Sequence, residues 1–295
     1  MRFAALLPTV FAAMTLIVIG DTAGKLLTQA DVAPVFVAWA RFALGALLVL
    51  PLAGLRAAEI RDLVAPRVML RGALIVGGIS FILTALQSVP LADAFGAFFI
   101  GPVVAFVLSV LFLREHVTPL RSLLIVLGFA GVLLVVQPGG SFKPAILFAV
   151  LAGCFHGGYV TVTRWLAGAY RARLLLLAQL CFGAVVLAPF AWMAGAPQID
   201  AGLALLLVIS AVGSAAGNFL LVVVSRHADG SLIAPLIYTQ LIAATGIGWL
   251  TFGDLPNMVA LAGLALILTS GLGSLVAAHR GRISAPPSPD PKTTP

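Results

Sequence analysis

Residues 35–46 read "VFVAWARFALGA", an apolar run with one permanent cation, Arg41, in its middle. The run lies in a longer apolar segment, residues 34–53, and a helix of roughly 20 such residues spans a bilayer. Of the 295 residues in the chain, 61% are hydrophobic and 9% are charged, whereas a soluble domain carries about 25% charged residues. The mean hydropathy is +1.15. The chain is therefore predicted to be an all-α integral membrane protein and not a soluble protein with an apolar core.

Ten segments have the length and composition of membrane-spanning helices, with short loops that leave no room for an inserted soluble domain. The predicted spans are residues 3–24, 34–53, 72–89, 93–113, 122–137, 145–163, 174–193, 203–224, 231–251 and 257–277. The fifth span is predicted to begin earlier, near Pro119. The final stretch, "SAPPSPDPKTTP" (284–295), is rich in Pro and Ser and is predicted to be disordered.

The basic residues predict how the spans are oriented. Ten spans place both termini on one side, and 14 of the 17 Lys and Arg residues fall in loops or tails on that side. Only Lys25 and Lys143 fall on the other side, and Arg41 lies within the second span. Because cytoplasmic loops carry the excess of Lys and Arg, both termini are predicted to be cytoplasmic. The net charge of +7 then reflects topology, and no nucleic-acid partner is predicted.

The two halves of the chain match each other at a shift of about 139 residues. The matched pairs are Lys25 and Arg164, Gly78 and Gly217, and Glu115 and Asp254. At a shift of 138, "ARFALGALLVLP" (40–51) matches "AQLCFGAVVLAP" (178–189). Because five spans is an odd number, the second half enters the membrane from the opposite side, which predicts a 5+5 inverted repeat. Such repeats are typical of transporters that open a central site alternately to each side, although a duplication kept for packing alone is the alternative.

The closing segments of the two halves resemble the drug/metabolite transporter superfamily, in particular its EamA-type exporters. These segments are "FLREHVTPLRSLLIVLGFAGVLLVVQPG" (112–139) and "APLIYTQLIAATGIGWLTFGDLPNMVALAGLALILTSG" (234–271). The resemblance implies two five-helix repeats, residues 1–139 and 140–280, followed by a disordered cytoplasmic tail, residues 281–295. It also implies a central cavity lined by helices 1, 3, 4, 6, 8 and 9, with helices 5 and 10 at the periphery. Family substrates include amino acids, nucleosides and other small metabolites. Asp254 departs from the family, which usually has Glu there.

Arg41 is predicted to need a partner because a charge within the membrane costs roughly 3 kcal/mol. It lies about 10 Å from the outer end of its helix at 1.5 Å per residue, and Asp21, Asp93 and Gln87 share that depth. Asp21 is the first choice, although Lys25, four residues further along the same helix face, would compete for it. The pair either holds two helices together or contacts a substrate carboxylate.

The other candidate residues for the cavity are polar, aromatic or helix-breaking. His156 and Tyr159 lie near the midplane beside glycines, which leave room either for a ligand or for close helix contact. Imidazole could also relay a proton, and a neutral, hydrogen-bonded histidine is the alternative. Further candidates are Ser80, Thr84, Phe98, Asn218, Tyr238 and Gln240, each of which could instead serve helix packing. Pro102 and Pro235 break the fourth and ninth spans, and paired breaks point to a binding site and to gating.

Several features that would indicate other functions are missing from the sequence. It has no phosphate-binding loop of the Walker A type, and its four histidines lack metal-ligand spacing, so neither a metal nor a cofactor is predicted. A membrane enzyme would need clustered acid, base or metal residues, and a channel would need a continuous polar stripe. With these classes disfavoured, the repeat and the family resemblance predict a secondary transporter in the inner (plasma) membrane that works by alternating access. The resemblance, together with a predicted cavity of aromatic walls and few charges, implies export of amino acids, with a nucleoside or a drug as the alternative substrate. The expected partners are a small-molecule substrate and the lipid bilayer, and the expected oligomeric state is a monomer or a weak homodimer.

Overall fold

The computed structural model describes residues 3–56, 59–114, 118–137, 143–166, 168–195, 197–224 and 236–283, and these ranges are mostly helical. The α-helices are α1 (Phe3–Gln29), α2 (Pro34–Ala53), α3 (Pro66–Leu86), α4 (Leu91–Phe98), α5 (Ile100–Leu113), α6 (Pro119–Val136), α7 (Ile146–Trp165), α8 (Ala172–Met193), α9 (Ala201–Val224), α10 (Gln240–Phe252) and α11 (Met258–Ile283). Short 3-10 helices cover Arg61–Val64 and Ile237–Thr239.

Seven spans among the described residues are long and apolar enough to cross a membrane: α1, α2, α3, α7, α8, α9, and α4 with α5 taken together. Ser122–Val136 and Met258–Gly273 are shorter apolar helices. Large apolar side chains point outward, with Leu47, Val185 and Leu250 each more than two-thirds exposed, as expected of a surface that faces lipid. Ten spans in a 5+5 order stay a prediction, because residues 225–235, which include the start of the ninth predicted span (231–251), lie outside the described residues.

The helix ends differ from the predicted spans where charged residues lie at those ends. Helix α1 continues to Gln29, so Lys25 is inside the helix and not in a loop. Helix α3 begins at Pro66, which brings Arg67 and Arg71 into the helix. Proline is favoured at the first position of a helix because its missing N–H has no helical partner there. Hydropathy alone ends a span at the first charge, although a long basic side chain can lie along the helix.

The fourth predicted span is two helices, α4 and α5, separated at Phe99. The break lies just before the predicted position at Gly101 and Pro102. Pro102 has no N–H to donate to the carbonyl of Phe98, four residues earlier, so a continuous helix would lose that hydrogen bond. Phe99 instead donates its N–H to the carbonyl oxygens of Phe95 and Gly96, at 3.1 and 3.3 Å. Pro102 then lies in the first turn of α5, where proline is tolerated.

Three sequence predictions fall partly or wholly outside the described residues. Pro235, the predicted break in the ninth span, is one, and the described part of that span begins with Leu236 and the 3-10 helix Ile237–Thr239. Glu115 of the repeat comparison is another. Helix α11 continues to Ile283, three residues into the predicted tail, and residues 284–295 are not described.

The helices of the two halves interleave. Helix α1 packs against α9, and α3 packs against α7; these two contacts exchange if the halves are exchanged as the repeat predicts. Helix α2 packs against α8, and α6 packs against α11. Glycine permits backbone contact in two of these helix pairs, α1 with α9 and α6 with α11, which we call glycine seams. A Cβ on Gly20 would lie 2.9 Å from the carbonyl oxygen of Ser210, and a Cβ on Gly131 would lie 2.8 Å from that of Gly263. Each seam therefore joins one helix of the first half to one helix of the second.

Candidate functional site

A cavity of about 280 Å³ lies between α1, α3, α4, α5, α7, α9 and α10. These helices belong to spans 1, 3, 4, 6, 8 and 9, the same set that the family resemblance implies for the cavity lining. Two further spans each add a side chain to the wall, Arg41 from α2 and Ile125 from α6. Seven of the ten predicted substrate-binding residues line the cavity: Asp21, Arg41, Phe98, His156, Asn218, Tyr238 and Gln240. Pro102 also lines it.

Arg41 and Asp21 form an ion pair at one end of the cavity, as predicted. The Nη1 atom of Arg41 donates a hydrogen bond to Oδ1 of Asp21 at 2.6 Å, and both side chains are almost fully buried. The pair joins α1 to α2 and neutralises both charges, which offsets the cost of placing Arg41 within the membrane. Nε of Arg41 is buried without a hydrogen-bond partner in the structure, so one donor of this cavity-lining cation is unsatisfied.

Lys25 does not compete for Asp21. Its Nζ atom lies 3.6 Å from Oδ2 of Asp254 and donates a hydrogen bond to the carbonyl oxygen of Val89 at 2.9 Å. The other two predicted partners of Arg41 are not bonded to it either. Gln87 is exposed at the end of α3, and Oδ1 of Asp93 has no hydrogen-bond partner.

Aromatic rings form a wall of the cavity. The rings of Phe98 and Phe99 meet edge to face with their centroids 6.2 Å apart. His156 lies 4.9 Å from Phe98, and Tyr238 lies 4.7 Å from Phe99. Flat rings favour offset or edge-to-face contacts with other rings, so this wall could hold the apolar or aromatic part of a ligand.

The glycines around His156 serve close helix contact. A Cβ on Gly157 would lie 2.5 Å from the carbonyl oxygen of Gly101, and a Cβ on Gly101 would lie 3.0 Å from that of Gly153. The glycines thus bring α5 and α7 together, which decides between the two roles predicted for them. The close contact places the imidazole of His156 against Phe98 in the cavity wall.

Asn218 and Gln240 add uncharged polar groups to the wall. Nδ2 of Asn218 donates a hydrogen bond to the carbonyl oxygen of Ser214 at 2.8 Å, which leaves its side-chain oxygen as an acceptor. Gln240 is buried at the start of α10. Amide groups can both donate and accept hydrogen bonds, so this wall can orient a polar ligand without adding charge.

Three predicted cavity residues, Ser80, Thr84 and Tyr159, are not among those that line it. Thr84 donates its hydroxyl to the carbonyl oxygen of Ser80 at 2.9 Å, one helical turn away. Tyr159 instead belongs to a buried network around Arg71, which the sequence analysis placed in a loop. The helix face on which these three residues lie was therefore not the predicted one.

Arg71 is a buried cation that the sequence analysis missed. It donates hydrogen bonds to the hydroxyls of Thr163 and Tyr159, at 2.8 and 2.6 Å, and to the carbonyl oxygen of Leu175 at 2.9 Å. Tyr159 in turn donates to Oε1 of Gln179 at 3.1 Å. The network connects α3, α7 and α8. Its signal in the sequence is Pro66, a helix start five residues before Arg71.

Among the described residues no group of three His, Cys, Asp or Glu side chains could hold a metal ion.

The chain resembles several transporters of known description. It is 26% identical over 210 residues to a riboflavin transporter of Brucella anthropi, covering 69% of this chain and 74% of that protein. It is 27% identical over 209 residues to an S-adenosylmethionine uptake transporter of Rickettsia conorii, covering 69% of each. It is 25% identical over 189 residues to the pseudopaline exporter CntI of Pseudomonas aeruginosa, covering 63% of this chain and 66% of that protein.

The whole fold also has a counterpart of known structure. One crystal structure matches with a TM-score of 0.65 over 96% of this chain and 99% of that chain, at 18% sequence identity, which indicates a shared fold. The family model of EamA-like transporters matches this chain twice, over residues 4–137 and 143–276, two segments offset by 139 residues at both ends. The described relatives are transporters and not enzymes. As the resemblance predicted, the chain belongs to the EamA-like transporter family.

Proposed function

We propose that the chain is a secondary transporter that exports amino acids across the inner (plasma) membrane by alternating access. Transport of a small molecule follows from the family; the amino-acid substrate and the direction are the proposal. The observation that carries it is the Asp21–Arg41 ion pair on the wall of a cavity that also has an aromatic wall. An amino acid presents the matching chemistry, a charged head of both signs and a side chain that is often apolar.

The charge balance of the pair favours a zwitterion. Asp21 and Arg41 neutralise each other, so a ligand with a net charge would remain uncompensated at this end of the cavity. Nε of Arg41 is an unpaired buried donor, which a ligand carboxylate can satisfy once the side chain turns toward the cavity. The Asp21 carboxylate can accept more than the one hydrogen bond that it accepts from Arg41, so it can also bind an ammonium group. A zwitterion can therefore bind both partners while the total charge stays at zero.

The aromatic wall supports a second candidate, a metabolite with a flat ring such as a nucleoside or a drug. Its support is the ring contacts of Phe98, Phe99, His156 and Tyr238, together with relatives that transport riboflavin or S-adenosylmethionine. The cavity volume of about 280 Å³ is near the lower limit of ligand pockets, about 300–1,000 Å³. The small volume favours an amino acid over these larger molecules.

Alternating access is supported by the pairing of the helices. The contact of α1 with α9 and that of α3 with α7 exchange when the halves exchange, and the family model matches two segments offset by 139 residues. Both observations are expected of an inverted repeat around a central site. Cytoplasmic termini are supported by the 14 basic residues on their predicted side. A monomer or a weak homodimer remains part of the proposal.

Uptake of radiolabelled amino acids into proteoliposomes tests the substrate. We expect saturable uptake that is stimulated by the same amino acid on the opposite side, which a channel would not show. The decarboxylated amine and the N-acetyl derivative should compete poorly because each lacks one of the two head charges. Flat uptake across an amino-acid panel, in protein shown to be folded, would refute the amino-acid substrate, and uptake of a nucleoside would favour the second candidate.

A matched pair of variants tests the site. Asp21→Asn with Arg41→Gln removes both charges while keeping a polar side chain at each position, and we expect a folded protein that does not transport. Ser80→Ala serves as the control because Ser80 is not among the residues that line the cavity, and we expect it to retain transport. Equal transport by the double variant and the wild type would show that the ion pair does not take part in substrate binding.

A further inference from the structure

Lys25 lies in a set of contacts that the substrate cavity does not use. Its ammonium group contacts Asp254 at 3.6 Å, the carbonyl oxygen of Val89 at 2.9 Å, and the ring of Phe252 with 4.5 Å to the centroid. Val89 precedes α4, Phe252 ends α10, and Lys25 is near the end of α1. Lys25 is 2% exposed and is absent from the cavity wall. One side chain thus joins two elements of the first half to one element of the second.

This cluster, Lys25 with Val89, Phe252 and Asp254, lies at the end of the bundle that the basic residues predict to face outward. The other charged groups that interact with Lys25 are Asp93 and Lys143. Charges of both signs, Asp93, Asp254 and Lys143, therefore act on this buried ammonium group. A charged hydrogen bond and a cation–π contact both strengthen as water is excluded, so the burial of Lys25 strengthens its contacts with these three elements.

The cavity reaches the two ends of the bundle unequally. At one end its wall includes Arg164 and Leu221, in the last turns of α7 and α9. At the other end its charged residues are Asp21 and Arg41, and Asp21 is about 12 Å from the end of α1 at 1.5 Å per residue. Lys25 lies between Asp21 and that end.

The internal repeat allows the two ends of the cavity to be compared at equivalent positions. Arg164 is the residue that the offset of 139 matches to Lys25. Arg164 lines the cavity, whereas Lys25 is buried outside it. Equivalent positions of the two halves are thus closed over at the predicted outer end and part of the cavity wall at the predicted inner end.

We propose that the Lys25 cluster closes the outer end of the cavity, and that its contacts must break before substrate is released to the outside. This inference rests on the proposed alternating access, but not on the identity of the substrate. Weakening the cluster should therefore shift the protein toward a state that is open to the outside.

Accessibility of the cavity from each side tests this proposal without any substrate. Cys154 and Cys181 are replaced by alanine, and Ile79→Cys supplies a single thiol in the cavity wall. The rate of labelling by a membrane-impermeant maleimide is measured in right-side-out and in inside-out vesicles. We expect slow labelling from the outside and faster labelling from the inside.

Asp254→Asn removes the ion pair while keeping the shape of the side chain. Because Asp254 is 40% exposed, we expect this variant to fold. Removing one partly exposed ion pair should raise outside labelling about three- to five-fold, and Lys25→Met should raise it further because Val89 and Phe252 also lose their contact. Glu59→Gln is the control, since it breaks the ion pair with Arg171 away from this cluster and should change neither rate.

Unchanged outside labelling in both Asp254→Asn and Lys25→Met, in folded protein, would overturn the proposal, as would an increase from the inside alone. Neither result would bear on amino-acid transport. Conversely, a labelling increase in a protein that moves no amino acid would support the closing contact and refute the substrate assignment.

Discussion

Replacing Arg41 or Asp21 by alanine should destabilise the protein strongly, and replacing both should destabilise it by less than the sum. The two side chains are almost fully buried and joined at 2.6 Å. Removing one leaves the other charge uncompensated, which costs about 3–5 kcal/mol, a large part of a typical stability of about 5–15 kcal/mol. The double replacement leaves no lone charge, so the coupling free energy should be about 1–3 kcal/mol.

Unfolding in mixed micelles measures the four free energies of this cycle. Additivity within about 0.5 kcal/mol would show that the pair is not energetically coupled and would refute the reasoning. The same cycle on Lys25→Ala and Asp21→Ala should be additive, because Lys25 contacts Asp254 and Val89 instead. A double variant that folds but does not transport would assign the pair to substrate binding as well as to stability.

Three further predictions address topology, the helix break and packing. A C-terminal reporter that is active only outside the cytoplasm should be silent, and a strong signal would overturn the predicted orientation. Pro102→Ala and Pro235→Ala should each slow transport without preventing membrane insertion, because a continuous helix would resist tilting; wild-type rates in both would remove the gating role. Gly157→Ala should lower the folded yield, since the added Cβ meets the carbonyl oxygen of Gly101 at 2.5 Å, whereas Gly246→Ala, with no atom within 4 Å, should leave the yield unchanged.

The partner of Arg41 could be predicted because the energetics leave few choices. A charge within the membrane needs compensation, and only residues at the same depth can reach it. Asp21 met both conditions, and the structure places the two atoms in contact. Estimated depth led to His156 and Asn218, and the predicted break at Pro235 led to Gln240; all three line the cavity.

Depth along a helix does not determine the direction in which a side chain points. Ser80 and Thr84 have suitable depth, but Ile79 and Ile82 of the same helix line the cavity instead. The direction is set by packing against neighbouring helices, which one sequence does not reveal. Arg71 and Lys25 were misplaced for another reason: hydropathy ends a span at a charge, whereas both side chains are buried within helices by partners distant in sequence.

The glycine seams indicate that the helices that move together are not the helices of one duplicated half. The seam of α1 with α9 at Gly20 and the seam of α6 with α11 at Gly131 each bring a backbone of one half onto a backbone of the other. Backbone surfaces in such contact have no side chains whose rotamers could absorb a displacement, so we expect each pair to move as one piece. We therefore expect the rigid parts of this transporter to mix helices from both duplicated halves.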